Sequence, residues 1–291
     1  MSSYGGGSAG TCQSGRAKLH CSSNREIADL SKNSAAAMKK SRRFIKRVLA
    51  VGAVLLLIAV AYAAYAVASL PNVAALKGTN PTVTALMEQR AAEQKEKVRP
   101  LRSWVSYNNI SPHLRNAVLV AEDGAFFQHS GYDWHELKEA IKKDWKEKRF
   151  ARGASTITQQ LEKNLYLSTS KNPLRKIREF LIARELEKHL GKQRIFEIYL
   201  NVIEWGNGVY GIGPAAQHYF GKSPGGLRPE EAAVLAAMIP SPRSYSPAKG
   251  ITPYIEKRKG DLLNRLLRYR YLSQAEFDEA MRRAVSFGTV E

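Results

Sequence analysis

The longest apolar stretch of the chain runs from Val48 to Leu70, 23 positions without a charge. As an α-helix this stretch is about 34 Å long, and the hydrocarbon core of a bilayer is about 30 Å thick. The pattern therefore predicts a transmembrane helix. The alternatives are a buried helix, which rarely runs so long without a charge, and a signal peptide cleaved at Ala64-Tyr65-Ala66, which would need an unusually long leader.

Beyond residue 98, apolar residues recur at helical spacing rather than alternating as in a strand. Ser111-Pro112 predicts a helix start, because serine is a good N-cap and proline fits the first helical position. An apolar stripe follows at Leu114, Ala117, Val118 and Ala121. Further helices are predicted from Asp133 to about Lys148, from Asn172-Pro173 to near Gly191, over Ile195–Val202, over Pro229–Ile239 and after Ser273. The pattern predicts a mainly α domain.

Charge is distributed unevenly on the two sides of the apolar stretch. Ten Lys and Arg and two Asp and Glu precede residue 48, and six of these basic residues lie between Lys39 and Arg47. Beyond the stretch, the first basic residue is Lys77. Because basic residues flank the cytoplasmic end of membrane helices, we expect a cytoplasmic N-terminus and an exported segment 71–291. The Gly/Ser-rich start at residues 2–15 is expected to be disordered.

Composition limits the classes of binding partner and of catalytic group that the chain can have. The chain has 291 residues, 44% of them hydrophobic, which excludes a wholly disordered protein. Its net charge of +19 favours a polyanionic partner such as nucleic acid, anionic lipid or a pyrophosphate-bearing substrate. The only cysteines are Cys12 and Cys21, so the exported part has no thiol for catalysis or metal binding.

Glu122 and Asp123 end the helix that is predicted to begin after Ser111. On a helical wheel Glu122 lies about 80° from Leu114, at the edge of the buried face. Loss of hydration there would raise the pKa of the Glu122 carboxyl and suit it to act as a general base. A solvated pair of acids at a helix end is the alternative.

The segment RGASTITQQLEKN at 152–164 combines a glycine turn, two hydroxyl side chains and a lysine. Ser155 is expected to cap the helix that follows, and Gln160 and Lys163 are spaced to share one face of it. A helix N-terminus with hydroxyls and a nearby lysine can bind phosphate. A capped surface helix without a ligand is the alternative.

Glu179 precedes the apolar positions Ile182, Ala183 and Leu186 of a predicted helix, at spacings that place them on one face. An acid among apolar neighbours is costly unless it is paired. Arg175, four residues earlier, is one candidate for the pair. A carboxylate that faces a cleft is the other interpretation.

Several short motifs lack the context that their chemistry needs. GNGVYG at 206–211 matches the dinucleotide fingerprint but follows a helical stretch rather than a strand. STSK at 168–171 matches the SxxK motif of transpeptidases, but the chain has no KTG triad. Residues 135–139 begin like the zinc motif HExxH but end on glutamate. The basic run from Lys142 to Arg152 is expected to meet anionic headgroups or pyrophosphate rather than nucleic acid.

Four blocks in order resemble the peptidoglycan glycosyltransferases, in particular their monofunctional, membrane-anchored members, whose module also occurs in bifunctional penicillin-binding proteins. The blocks are EDGAFFQHSG at 122–131, RGASTITQQLEKN at 152–164, RKIRE at 175–179 and EIYLNVIEWGNGVYGIGPAAQHYFGK at 197–222. The resemblance covers about residues 99–270. Ala154 stands where the family often has glycine, and Gly124 and Ala125 stand where it often has a polar residue, but neither difference removes a functional group.

The resemblance implies that the chain elongates glycan strands from lipid II, the undecaprenyl-pyrophosphoryl disaccharide-pentapeptide. Glu122 then corresponds to the general base, and the transfer inverts the donor sugar and releases undecaprenyl pyrophosphate. Glu179 corresponds to a second catalytic carboxylate that supports the pyrophosphate, with Mg²⁺ or Mn²⁺ as an optional ion near it. No prosthetic group is expected. The resemblance assigns the remaining substrate-binding positions to Asp123, Phe126, His129, Ser155, Thr156, Gln160, Lys163, Asn164, Arg175, Lys176 and Asn201.

The implied fold is mainly α, with a lysozyme-like catalytic lobe and a smaller membrane-facing lobe, preceded by one transmembrane helix. Residues 1–47 are expected to form a basic, partly disordered cytoplasmic tail, 48–70 the anchor, 71–98 a linker or stalk, 99–270 the glycosyltransferase domain and 271–291 a C-terminal helix. The implied location is the bacterial cytoplasmic (inner) membrane, with the catalytic domain on its outer face. The expected partners are lipid II, the growing glycan strand, the membrane and other cell-wall synthesis or division proteins, without nucleic acid.

Two other functions stay open at this point. A lytic transglycosylase or lysozyme-like hydrolase would cleave glycan and would not need a cluster of phosphate-facing basic residues. A non-catalytic membrane scaffold of cell-wall assembly would not need Glu122 at all.

Overall fold

The computed structural model of the chain describes residues 15–101, 103–134, 138, 155–166, 175–244 and 250–288, with side chains from residue 38 onward except at Arg175. Nearly all of the helix predicted from Asp133 to Lys148 lies outside these ranges. The STSK motif, most of the HExxH-like motif and the basic run that ends at Arg152 also lie outside them. The chain divides into two compact units, Met1–Ala68 and Ser69–Glu291.

The first unit contains helix α1, Gly15–Ala68. Most of its large apolar side chains, such as Leu56 and Leu57, are more than half exposed, and the helix is long and apolar enough to cross a membrane. The helix begins at Gly15, within the segment that the sequence predicted as a partly disordered tail. The reason is local: the chain has no proline before Pro71 and no glycine between Gly15 and Gly52, so nothing interrupts helix propagation.

The second unit is mainly helical, as the sequence predicted. Its helices are α2 (Ala85–Gln94), α3 (Pro112–Glu122), α4 (Ile157–Tyr166), α5 (Arg175–His189), α6 (Lys192–Val202), α7 (Ile212–Phe220), α8 (Pro229–Met238), α9 (Pro253–Arg268) and α10 (Gln274–Arg282). Short 3₁₀ turns cover Val73–Lys77, Tyr107–Asn109 and Pro224–Gly226. Strands β1 (Glu204–Gly206) and β2 (Val209–Tyr210) form an antiparallel hairpin in which Glu204 pairs with Tyr210.

Two groups of helices build the core. In one group α8 packs against both α3 and α9, and all of its residues from Ala232 to Met238 are buried. Four of these seven residues are alanines, which let the neighbouring helices approach closely. In the other group α4 packs against α5 and α6. The C-terminal end of α3 and the N-terminal half of α4 bring the two groups together at the predicted site.

Residues 71–98, predicted as a linker or stalk, pack on the folded unit. Val73 and Leu76 are buried, and Met87 of α2 is only 3% exposed. Arg90 Nε lies 3.4 Å from Glu204 Oε2 of the hairpin. The folded unit therefore begins before residue 99. The sequence hid this because α2 is short and its few apolar residues stand among charges.

The glycines of the GNGVYG segment serve a turn. Gly208 and Gly211 adopt φ of +75° and +83° between β1 and α7. A Cβ on Gly211 would lie 2.6 Å from the backbone oxygen of Asn201, so no side chain fits there without a shift. These glycines shape a hairpin, and the segment has no strand–turn–helix geometry of a dinucleotide site.

Candidate active site

A cleft of about 410 Å³ lies at the C-terminal end of α3. Glu122 and Asp123 line it together with Ser155 and Thr156, which directly precede α4. The cleft thus brings two of the four motif blocks together. Its other described lining residues are Val120, Ala121, Gly124, Ala125, Gln128, Asp133, Arg265 and Tyr269.

Arg265 of α9 and Tyr269, which follows α9, were not predicted as site residues. In the sequence they belong to an amphipathic helix end rich in arginine and tyrosine, and nothing there distinguishes them from an ordinary solvated face. The packing of α9 against α3 brings them to the cleft. A guanidinium and a phenol therefore lie in the same cleft as Glu122.

Glu122 is partly buried, and one oxygen of its carboxylate has a defined partner. Gln160 Nε2 donates a hydrogen bond of 2.8 Å to Glu122 Oε2. Burial raises the pKa of the Glu122 carboxyl above its usual range, and the nearby charge of Asp123 adds to the increase. The Gln160 hydrogen bond and the charge of Arg258 act in the opposite direction on this pKa. The result is a carboxylate with stronger affinity for a proton than a solvated glutamate has, which suits a general base.

Asp123 connects three segments of the site. Its carboxylate lies 2.9 and 3.0 Å from His129 Nε2 and accepts a 3.0 Å hydrogen bond from the backbone N–H of Ile157. Ile157 is the first residue of α4, so the negative charge lies at a helix N-terminus, where the helix dipole stabilises it. The Asp123 side chain is only 4% exposed. Its geometry holds α4 in place beside Glu122.

The cap of α4 is Thr156, and the prediction that Ser155 caps it was wrong. Thr156 Oγ1 accepts a hydrogen bond from Gln159 N, and Thr156 N donates to Gln159 Oε1, each at 3.2 Å. This reciprocal pair satisfies two N–H groups at the helix start. Ser155 instead lines the cleft, and its Oγ accepts a hydrogen bond of 3.4 Å from Lys163 Nζ. A hydroxyl and an ammonium group therefore lie together at this end of α4.

Four other predicted substrate-binding residues make defined contacts with neighbouring protein groups. Phe126 is fully buried and packs against Phe196, and His129 contacts Asp123. Asn164 Nδ2 donates to the backbone oxygen of Gln160 at 2.7 Å. Asn201 is buried, and its amide accepts from Val105 N and donates to Val105 O. These contacts therefore indicate that the four residues help to hold the elements of the site in place.

Glu179 is 2% exposed and does not line the cleft around Glu122. Its partner is Lys176, whose Nζ donates to Glu179 Oε2 at 2.8 Å. The pairing with Arg175 that the sequence suggested involves a side chain outside the described part. The side chain of Lys176 is 67% exposed, so this ion pair lies at the border between the protein interior and solvent.

The described residues do not fit a resident metal site. Nowhere in the described part of the chain do three His, Cys, Asp or Glu side chains form a group that could hold a metal ion. Glu179 supplies one carboxylate, and one of its oxygens already accepts a hydrogen bond from Lys176.

Comparison with known proteins identifies the family. A family model described as Transglycosylase matches residues 88–267, a range that includes every predicted site residue. The biosynthetic peptidoglycan transglycosylase of Nitrosospira multiformis is 46% identical over 190 residues, 64% of this chain and 82% of the relative. That of Dechloromonas aromatica is 48% identical over 169 residues, 57% of this chain and 73% of the relative.

Among solved structures, penicillin-binding protein 1A from Haemophilus influenzae matches at 23% identity and a TM-score of 0.39, over 65% of this chain and 18% of that one. The family model covers more than half of the chain, and the resemblance found in the four sequence blocks is thereby confirmed. The chain belongs to the transglycosylase family.

Proposed function

We propose that this protein polymerises lipid II into linear glycan strands, with Glu122 as the general base. Family membership and the biosynthetic relatives make the chain a peptidoglycan glycosyltransferase, an enzyme that polymerises glycan strands. One observation carries the role of Glu122: its partly buried carboxylate lines the cleft and is oriented by Gln160. No other described glutamate lines this cleft.

The reaction is a single displacement. The 4-hydroxyl oxygen of the acceptor sugar attacks the anomeric carbon of the donor, and its proton passes to the Glu122 carboxylate. As the new glycosidic bond forms, the bond to undecaprenyl pyrophosphate breaks, and the leaving group departs with the electron pair. Attack from the face opposite the leaving group inverts the anomeric carbon. Positioned general-base catalysis of this kind contributes about 10²–10⁴ in rate.

Charge that develops on the pyrophosphate needs stabilisation by fixed positive groups. Ser155, just before α4, supplies a hydroxyl, and Lys163, in the last turn of α4, supplies an ammonium group that reaches it. Arg265 supplies a guanidinium in the same cleft as Ser155. Lys176, whose side chain is mostly exposed, supplies a further ammonium group, which Glu179 holds in place. We assign these groups to the phosphates, and no step of the mechanism runs through a metal ion.

The membrane anchor places the enzyme where its lipid substrate lies. Helix α1 fits a single-pass anchor, and the basic residues before Val48 support a cytoplasmic N-terminus with the catalytic domain on the outer face of the inner membrane. Anchoring confines enzyme and lipid II to one surface, which raises their effective concentration.

A surface of the second unit supports a smaller membrane-facing lobe beside a lysozyme-like catalytic lobe. Trp134 and Ile177 are 65% and 52% exposed, and Phe180 is also exposed. Tyr132 lies between Trp134 and Phe180, with ring centroids 5.9 and 4.9 Å away. Exposed aromatic side chains with neighbouring basic residues such as Lys176 are typical of surfaces at a membrane interface.

The test is polymerisation of labelled lipid II by the purified full-length protein in detergent. Wild type is expected to form polymer, and Glu122→Gln, which keeps the shape but removes the proton acceptor, is expected to be about 10²–10⁴ slower. Glu279→Gln on α10, an exposed glutamate that pairs with Arg283, is the matched control and should match wild type. Near wild-type polymerisation by Glu122→Gln would remove Glu122 from the mechanism. Cleavage of isolated glycan without use of lipid II would establish a hydrolase instead.

A further inference from the structure

A chain of two hydrogen bonds runs from the protein interior to Glu122. Tyr199 of α6 is fully buried, and its hydroxyl donates to Gln160 Oε1 at 2.8 Å. Gln160 of α4 in turn donates from Nε2 to Glu122 Oε2 at 2.8 Å. Side chains from α6, α4 and α3 thus form one connected series that ends at the carboxylate.

We propose that Tyr199 is a positioning residue, which locks the side-chain amide of Gln160 with its NH₂ group toward Glu122. The inference rests on the proposed role of Glu122 as the general base. Tyr199 lies behind Gln160 and does not line the cleft, so it acts on the reaction through the amide alone.

The orientation matters because the two ends of an amide are chemically opposite. The oxygen of Gln160 can only accept a hydrogen bond, whereas its NH₂ group can only donate. An ionised carboxylate can only accept, so it is satisfied by the NH₂ group and repelled by the oxygen. The flipped amide would suit only a protonated Glu122, which cannot act as a base. A donor held at the far end of Gln160 therefore selects the orientation that catalysis needs.

Tyr199 is fixed as such a donor. Its ring stacks on Phe196 with centroids 6.4 Å apart. Burial raises the pKa of the Tyr199 phenol well above its usual value, and the charges of Glu122 and Asp123 add to the increase, so the hydroxyl keeps its proton. Among the described residues, Gln160 Oε1 is the one acceptor within hydrogen-bond distance of this hydroxyl.

Loss of the Tyr199 hydroxyl is expected to raise the pKa of Glu122. Gln160 from α4 and Arg258 from α9 favour the ionised form, whereas burial and the adjacent Asp123 oppose it. Arg265 and Tyr269 line the same cleft. Removal of the Tyr199 hydroxyl leaves all of these groups in place but removes the donor to Gln160 Oε1. The long 3.5 Å contact from Gln160 Nε2 to the Ser155 carbonyl is then left to oppose a flip of the amide. The protonated form of Glu122 then becomes easier to accommodate, and its pKa rises further.

The first test compares Tyr199→Phe with wild type in full-length protein, using lipid II and a range of pH. At neutral pH the kcat of the variant should fall about 3- to 10-fold, because one buried hydrogen bond is lost. The acidic limb of the kcat profile should move up by about 0.5–1 pH unit, so that the rate recovers in alkaline buffer. KM should stay within about twofold of wild type, because the substrate contacts are unchanged.

Tyr219→Phe is the matched control. Tyr219 is also buried, and its hydroxyl donates to the backbone oxygen of Trp205 at 3.2 Å, with no connection to Glu122. This variant loses the same kind of hydrogen bond but should keep the wild-type acidic limb. An equal loss of rate at every pH in Tyr199→Phe would indicate a purely structural role and overturn the proposal.

A double-mutant cycle tests whether Tyr199 acts through Gln160. In a Gln160→Ala background, Tyr199→Phe should have no further effect on the acidic limb, because the amide that it orients is gone. A full additional shift in that background would overturn the proposal.

A second variant retains the hydroxyl. With 3-fluorotyrosine at position 199 the phenol is a stronger donor, so the acidic limb should stay at the wild-type pH or move below it. A shift to higher pH would contradict the proposal.

Glu122→Gln, run in the same assay, distinguishes a failure of the positioning role of Tyr199 from a failure of the proposed function. If it abolishes polymerisation while Tyr199→Phe keeps the wild-type profile, the positioning role fails and the proposed function stands; if Glu122→Gln stays active, the proposed function itself fails.

Discussion

Asp123→Asn is a change of one atom in a side chain that joins α3 to α4. In the wild type, one carboxylate accepts a hydrogen bond from the Ile157 N–H at the start of α4 and contacts His129 Nε2. Asparagine keeps the shape but replaces one acceptor oxygen with an NH₂ donor and removes the negative charge from the helix N-terminus. The asparagine oxygen still accepts from the Ile157 N–H, but the NH₂ group keeps the His129 contact only by donating to an unprotonated Nε2, so the hydrogen bonds to a negative charge are lost.

The size of the effect follows from these contacts. A hydrogen bond to a charged group contributes about 1.5–3 kcal/mol, and the charge at the helix N-terminus about 0.3–1 kcal/mol. The free energy of unfolding should therefore fall by about 2–4 kcal/mol, which for a domain of this size lowers the melting midpoint by about 5–15 °C. The kcat should also fall about tenfold, because Gln160 lies one turn beyond Ile157 and moves with the start of α4.

Thermal unfolding and lipid II polymerisation of the full-length protein measure the two effects together. Asp278→Asn is the control, since Asp278 is exposed on α10 and its carboxylate accepts a hydrogen bond from Gln274 of the same helix. A melting midpoint within about 1 °C of wild type, with unchanged kcat, would refute the argument that Asp123 holds α4 in place.

Three further predictions address other parts of the molecule. Lys163→Ala should lower the rate of lipid II turnover about 10- to 100-fold with little change in melting midpoint, since the proposed function assigns its ammonium group to the pyrophosphate; an unchanged rate would exclude Lys163 from the site. Gly211→Ala should lower the free energy of unfolding by about 2 kcal/mol or more, measured by thermal denaturation, because its φ of +83° and the nearby Asn201 oxygen exclude a Cβ. A reporter that works only outside the cytoplasm should be active when fused after Glu291, and activity of a cytoplasmic reporter there instead would reverse the orientation.

Local patterns predicted most of the helices, because the apolar residues on the buried face of a helix recur every three to four residues in the sequence. The stripe from Leu114 to Ala121 and the capping pair Ser273 and Glu276 both correspond to observed elements, α3 and α10. The β-hairpin was missed because strands of three and two residues are too short to show alternation. The helical tail from Gly15 was missed because a Gly/Ser-rich start suggested disorder, although the residues after it favour a helix.

For the site, sequence blocks indicated Glu122, Ser155, Gln160 and Lys163, which the fold brings close together. The blocks did not indicate which residues support the site and which line it, because that depends on contacts between distant segments. Thr156 rather than Ser155 caps α4 because its hydroxyl accepts from the Gln159 N–H and donates to the backbone oxygen of Gly131. Arg265 reaches the cleft only through the packing of α9 on α3.

The alanines of α8 have a consequence for how the sequence can evolve. None of the residues of α8 lines the cleft, yet α8 packs against both α3, which carries Glu122, and α9, which carries Arg265. A larger side chain at buried Ala233 or Ala236 would overpack the contacts of α8 with its neighbours and shift these helices, at a cost of about 1–3 kcal/mol. Selection for catalysis therefore also acts on a helix that lines no part of the cleft, through the size of its buried side chains, and this constraint would keep Ala233 and Ala236 small while the charged surface around α8 changes.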